Sequence, residues 1–270
     1  MSKKVVGFSI VIAVAIAAAI FFFLNNGDSK QAKPISITAD SVVFKRGCVS
    51  ADSSCLYVSF HYPVVSGNNN KLLPILLYAD YLQVLGDSSR IENSGTIRDY
   101  LSNIVSQNDS LFTEFVSAFP EGAVNTWYLK ANFTTLLNDG AITCIKYYTE
   151  SYMGGAHSNY SFHYFNFANQ RNMTLSIGDV VSDMPLFLEK AENSFRKSQN
   201  MPQGKALDGY WFPNSTFELP AEIGFSSQGV VLHYNAYDIA PFSDGDICFV
   251  VPYGDIKELL TPEFAYLAKP

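Results

Sequence analysis

Basic residues are scarce in this chain: 18 Lys and Arg stand against 25 Asp and Glu in 270 residues, a formal charge of -7. That balance excludes a grip on nucleic acid built from a broad basic surface. Charge of either sign is low, 16%, while hydrophobic residues reach 48% and aromatics 14%, so the chain has the apolar content that a disordered one lacks. Four cysteines are too few and too dispersed for a disulfide scaffold or a zinc ribbon. No G-x-S-x-G elbow, H-E-x-x-H helix, Walker loop or G-x-G-x-x-G turn occurs, which removes the common hydrolase, metalloprotease and nucleotide signals. No catalytic group, metal or cofactor is assigned from the residues.

One long apolar run is present. Residues 5–24, VVGFSIVIAVAIAAAIFFFL, carry no charge, follow Lys3 and Lys4, and are long enough to cross a bilayer. The run continues past its Ala17, Ala18, Ala19 cluster into Phe21, Phe22 and Phe23, so it reads as an uncleaved anchor rather than a signal peptide. The lysine pair orients it with the N-terminus in the cytoplasm and the rest of the chain outside the cell membrane. Removing Lys3 and Lys4 leaves 16 basic against 25 acidic residues, an exported part of formal charge -9. Residues 25–34, NNGDSKQAKP, have the composition of a tether.

Beyond the tether the pattern predicts an α+β fold, a largely antiparallel sheet with a few packed helices, in two halves at 35–149 and 150–262. ISITADSVVFKR and CLYVSFHYPVV read as strands around a polar turn, and Cys48 and Cys55 flank that turn closely enough to bridge it. Cys144 and Cys248 sit in strand-like segments and either pair or remain buried thiols. Helical spacing is expected over 72–85 and 97–119. Strands follow at 127–137 and 141–152 around an Asp139-Gly140 turn, and another at 160–167. A helix starts near Pro185, and FELPAEIGFS, GVVLHYNAY and DICFVVPY supply late strands before a short amphipathic helix, GDIKELL.

The segment Tyr152-Met153-Gly154-Gly155-Ala156-His157-Ser158 turns sharply and exposes an imidazole. Neither Glu150 nor His163 stands at a metal-ligand spacing from His157, so the segment reads as structure or ligand contact rather than catalysis. His61 and His233 lie in strands among aromatics and receive no role. Asp238, Asp244 and Asp246 cluster in AYDIAPFSDGD at a spacing that does not fit an EF-hand, so this is expected to be an acidic, aromatic-rich exposed loop.

YMGGAHSNY (152–160), FNF followed by LSIGDVV, a helix, GVVLHYNAYDIAPFSDGD (229–246) and VVPYGDIKELL (250–260) occur in an order that resembles one family. It is the extracytoplasmic domain of unknown function found in RsiV-type anti-sigma factors, which are receptors for lysozyme, and beside the catalytic domain of PdaC-type peptidoglycan deacetylases. The resemblance is specific over about 150–260 and looser over 35–149. It implies a tethered binding or sensing module of the cell envelope, with lysozyme, another protein or a cell-wall glycan as partner. It does not imply catalysis, because the deacetylase metal motifs have no counterpart here. Sigma release is not expected either, with only residues 1–4 ahead of the span. On this reading Tyr237, Asp238, Pro241 and Phe242 are the contact set, joined by Met153, His157 and Ser158 only if the two loops converge; the alternative is that Pro241 and Gly245 shape a crossover while Tyr237 and Phe242 cap the core. The competing expectations are a cell-wall-active enzyme using His157 with nearby carboxylates, and a scaffold in an envelope complex.

Overall fold

The computed structural model describes residues 33–50, 53–66, 72–86, 96–119 and 125–269. The apolar run at 5–24 lies outside them, and no helix among the described residues is long and apolar enough to cross a membrane. β-Branched and aromatic residues alternate with polar ones to make β1 (Ser36–Gly47) and β2 (Cys55–Ser66), an antiparallel pair from Ser36 opposite Ser66 to Gly47 opposite Cys55. The Cys48–Cys55 disulfide closes their turn. A loop this short loses about 2 kcal/mol of chain entropy on cross-linking. Reduction should therefore lower the melting temperature by roughly 5 °C, read by calorimetry with and without reductant.

α1 (Leu72–Val84) and α2 (Ile97–Ala118) follow, the latter opened by a reciprocal capping box between Thr96 and Asp99. β3 (Thr126–Asn138) then returns parallel to β2, with Cys55 opposite Thr126. A crossover carrying helices is what a parallel neighbour requires. β4 (Ile142–Tyr152) and β5 (Asn159–Ala168) continue antiparallel, and β6 (Met173–Thr174) ends a six-stranded sheet ordered β1-β2-β3-β4-β5-β6. The turn at Asp139-Gly140 holds because Asp139 Oδ1 accepts from the backbone N–H of Ala141 and of Ile142, at 2.9 and 2.8 Å.

After a single turn of helix, α3 (Ile177–Val180), α4 (Met184–Ser198) starts at Asp183, whose carboxylate accepts the Leu186 N–H, with Pro185 in the first turn. A second sheet of β7 (Glu222–Phe225), β8 (Gly229–Tyr234) and β9 (Ile247–Pro252) is antiparallel throughout. Alternation on the six strands puts Leu56, Val58 and Phe60 against α1 and α2, while Cys144, Tyr164 and Ala168 face the second sheet. α4 packs on β9, on the far side of that second sheet. The layers run helices, sheet, sheet, helix, and β8 is buried along its whole length because both its faces are covered. β7 approaches β5 closely: a Cβ on Gly224 would lie 2.2 Å from the Tyr164 ring, so only glycine fits there.

The β1 edge of the large sheet, and the stretch of β5 that the two-residue β6 leaves uncovered, are guarded by side chains. On β5 the Asn235 amide donates to the Phe162 carbonyl and accepts its N–H (3.0 and 2.7 Å), and Glu222 Oε2 accepts the Tyr164 N–H at 3.0 Å. On β1 the Asp40 carboxylate takes the Ser41 N–H and Arg98 donates to the Ser41 carbonyl. A row of free amides would otherwise invite another strand. The Asp40 carboxyl is held down to about 2 by bonds from Tyr62 and Arg98, so this guard stays ionised well into acid.

One expectation differs from the structure. GDIKELL forms no α-helix: a 3-10 turn at Tyr253–Asp255 runs into further turns, with Tyr253, Ile256 and Leu259 buried at a spacing of three. That spacing suits successive i→i+3 bonds better than an α-helical stripe. Of the two alternatives left open for Cys144 and Cys248, the structure has the free thiols, with Cys144 buried and Cys248 exposed. The Cys144 thiol is buried, accepts the Phe225 N–H at 3.2 Å, and is pushed up to about 12 by desolvation.

Candidate functional site

The β4–β5 connection reverses through Gly154 and Gly155, at φ of 93° and 117°, where a Cβ would meet open space but a strained backbone. Tyr152 Oη donates to the Gly155 carbonyl (3.0 Å) and clips the turn. His157 then stands at the surface with Nδ1 donating to the Ser158 carbonyl at 2.8 Å. A carbonyl only accepts, so Nδ1 carries the proton.

The β8–β9 connection begins at Asn235, whose side chain is already fixed to β5. The Asn235 N–H donates to Asp238 Oδ2 (2.7 Å) and the Asp238 N–H to the Asn235 carbonyl (3.0 Å), a reciprocal turn that places Tyr237 at φ 76°. An aromatic side chain rarely holds this conformation, and Tyr237 does so while 56% exposed. Pro241 leads into a short 3-10 turn, Phe242–Asp244.

These two loops meet. The His157 and Phe242 rings stack with centroids 3.9 Å apart and planes at 16°. Tyr160 and Tyr237 flank Phe242 at 5.6 and 5.4 Å, closing an aromatic step at one end of the two sheets. Of the residues singled out in the sequence, His157, Tyr237 and Phe242 come together. Asp238 and Pro241 shape the loop that carries them. Ser158 supports the turn through its carbonyl, and its side chain bonds Glu150. Met153 parts from the rest: 45% exposed, it lines a separate crevice of about 270 Å³ with Phe60, Val84, Leu129 and Thr149, beside the end of α1 and the middle of α2.

Behind the step the polar groups are tied into the fold. His233 is buried between the sheets, with Nδ1 bonded to Tyr164 Oη at 2.8 Å and Nε2 2.9 Å from Asp246 Oδ2, off line for a hydrogen bond. Burial lowers its pKa in spite of Asp246, which keeps the imidazole neutral near pH 7. Glu150 accepts from Tyr128 Oη (2.9 Å) and Lys130 Nζ (3.1 Å). Burial alone would raise its pKa, and these bonds outweigh burial and lower it. His163 lies between Asp80 of α1 and Glu222 of β7, 3.0 Å from each. No group of three or more His, Cys, Asp or Glu side chains placed to hold a metal ion occurs among the described residues. The arrangement presents an exposed aromatic surface on a braced support.

The exposed Trp211 escaped the sequence reading. It sits in the turn-rich run GYWFPNS, and its N–H donates to the Ile239 carbonyl at 2.8 Å, which ties that run to the loop bearing Tyr237. The signal was the alternation Tyr210-Trp211-Phe212, two rings turned inward around one turned out.

Residues 179–254 match the profile of a family described as "Protein of unknown function (DUF3298)". That stretch runs from α3 to the end of β9, so it holds Tyr237 and Phe242 but not His157. No curated protein matches the chain. Two solved structures resemble it: a member of the DUF3298 family from Bacteroides fragilis, with 20% identity, TM-score 0.60, and coverage of 86% of this chain and 96% of that one; and a DUF3298 family protein from Pseudomonas aeruginosa PAO1, with 15% identity, TM-score 0.58, and coverage of 85% and 96%. The chain is therefore similar to the DUF3298 family over 179–254 and shares an α+β fold with two bacterial proteins along most of its length.

Proposed function

We propose that this protein is a membrane-anchored binding or sensing module of the bacterial cell envelope, contacting its ligand through the step of His157, Tyr237 and Phe242. The observation that carries the reading is the convergence of two loops, distant in sequence, on one exposed aromatic surface with Tyr237 held in a strained backbone. Strain kept at the surface, away from the packed core, is a mark of a contact site. The uncharged run at 5–24 and the Cys48–Cys55 bridge suit an extracytoplasmic place. The resemblance to the lysozyme-binding domain of RsiV-type factors and to the accessory domain of PdaC-type deacetylases supports a protein such as lysozyme, or a cell-wall glycan, as the ligand.

The test is calorimetric titration of the full-length chain, in non-ionic detergent, with lysozyme and separately with soluble peptidoglycan fragments. Saturable binding of either is expected, weakened at least about tenfold by Tyr237→Ala with Phe242→Ala, at a cost of only about 1–2 kcal/mol in stability. Binding unchanged in the double variant, or no binding of either probe, would contradict the reading.

A further inference from the structure

The aromatic step does not end at Tyr237. Tyr210 and Phe212 pack on Phe195 of α4, with centroids 5.0 and 5.6 Å away, so the side chain between them, Trp211, is turned outward and is 55% exposed. Its backbone is fastened to Ile239, two residues from Tyr237. Trp211 and Tyr237 thus lie on adjoining loops over one packed base.

The loops that carry them hold charge of a single sign, with Lys146 of β4 behind them over the Phe162 ring. From residue 206 to residue 256 the chain holds seven acidic side chains and neither lysine nor arginine. Asp208, Glu218, Asp238 and Asp244 are exposed. Asp208 is bonded to Ser215, at the far end of the Trp211 turn. Asp244 is close enough to Tyr210 to add to the effect of burial in raising its pKa, and Asp238 and Glu218 do the same at Tyr234. The four carboxylates therefore border the same loops that present Trp211, Tyr237 and Phe242.

We infer that this acidic, aromatic ridge, Trp211 to Phe242, is the docking surface for a basic polypeptide segment, whose arginine or lysine side chains stack on Trp211 and Tyr237 and pair with the bordering carboxylates. Planar guanidinium groups suit both contacts at once, resting on a ring face while donating sideways to carboxylate. A flexible basic segment fits an open ridge better than a glycan does, since a neutral sugar leaves the four carboxylates unused. The inference rests on the reading of this end as a binding surface and adds the partner's chemistry and the Trp211 contact.

The experiment uses the full-length chain in non-ionic detergent with nona-arginine as probe and nona-glutamate as control. Two tryptophans are present, and Trp127 is buried against Phe112 and Phe115, so a fluorescence change reports on Trp211. Nona-arginine should give a saturable change, nona-glutamate none. Affinity measured by calorimetry should fall at least about tenfold in Trp211→Leu and about as much in Asp238→Asn with Asp244→Asn, with the melting temperature of Trp211→Leu unmoved. Part of the binding should survive about 0.5 M salt, because stacking is less screened than charge attraction. Equal affinity in Trp211→Leu, complete loss in salt, or silence toward nona-arginine would overturn the inference. If peptidoglycan fragments or lysozyme bind through the step while nona-arginine does not, the broader reading stands and this one falls; if no probe binds, both fall.

Discussion

Phe195→Ala should cost about 4 kcal/mol, within the range for removing a fully buried phenylalanine. Phe187, Ala191 and Phe195 form the inward stripe of α4, and all three are inaccessible to solvent. Around the Phe195 ring stand Tyr210, Phe212, Phe217, Tyr234 and Phe249, with centroids 5.0 to 6.2 Å away. These neighbours come from the turn-rich run, β8 and β9, so one ring holds together the segments beneath Trp211 and Tyr237. A cavity there cannot collapse without moving all of them. Thermal melting should fall by roughly 12 °C, and Phe195→Leu should recover more than half of the loss. Ligand binding should weaken in parallel, although Phe195 touches no ligand. A loss below about 1.5 kcal/mol would show that the ring is not the hub described.

His163→Leu should cost about 3 kcal/mol near pH 7. The imidazole sits 3.0 Å from Asp80 on one side and 3.0 Å from Glu222 on the other, and it stacks on Tyr147. Leucine would leave two carboxylates facing each other without a cation, and Asp80 Oδ2 already has no hydrogen-bond partner among the described residues. Burial alone would lower the His163 pKa, but hydrogen bonds and charge from Asp80 and Glu222 outweigh it and raise the pKa to about 10. The folded state therefore keeps a proton that the unfolded chain gives up near the ordinary value of 6.5. This stabilisation is complete below about pH 6.5 and is lost as pH rises toward 10. Tyr62, raised to about 12 chiefly by burial and by its bond to Asp40, loses its own contribution at higher pH, so the windows separate. Denaturant melts between pH 6 and 10 should show falling stability in the natural protein and a flatter profile in His163→Leu. Parallel profiles would contradict the clasp.

The strands were legible where β-branched and aromatic residues alternate. β1, β2, β4 and β5 lie within a few residues of their expected bounds because their pattern, period two with a polar turn between, has no helical rival. GDIKELL was not legible: Ile256, Leu259 and Leu260 suit an amphipathic helix, yet they are buried by a chain of tight turns on the second sheet. Most of the aromatic step could be named from the residues, because glycine pairs, proline and aromatics mark loops that present side chains. Its closure could not. His157 meets Phe242 only because Asn235 locks the β8–β9 loop onto the backbone of β5, a contact between residues 73 apart in sequence. The His163 clasp was hidden for the same reason, its carboxylates lying 83 and 59 residues away. Trp211 was hidden differently: whether an aromatic in a turn-rich run faces inward or outward depends on what its neighbours pack against.

The account turns on one claim, that loops 152–160 and 235–246 form a single contact surface on a rigid base. Hydrogen exchange of the full-length chain with and without saturating ligand, whichever of lysozyme, peptidoglycan fragments or nona-arginine binds, tests it most directly. The account predicts added protection in both loops together, extending to 208–218, with α1 and α2 unchanged. Protection confined to the helical face, around the crevice beside Met153, would place the ligand elsewhere and contradict it.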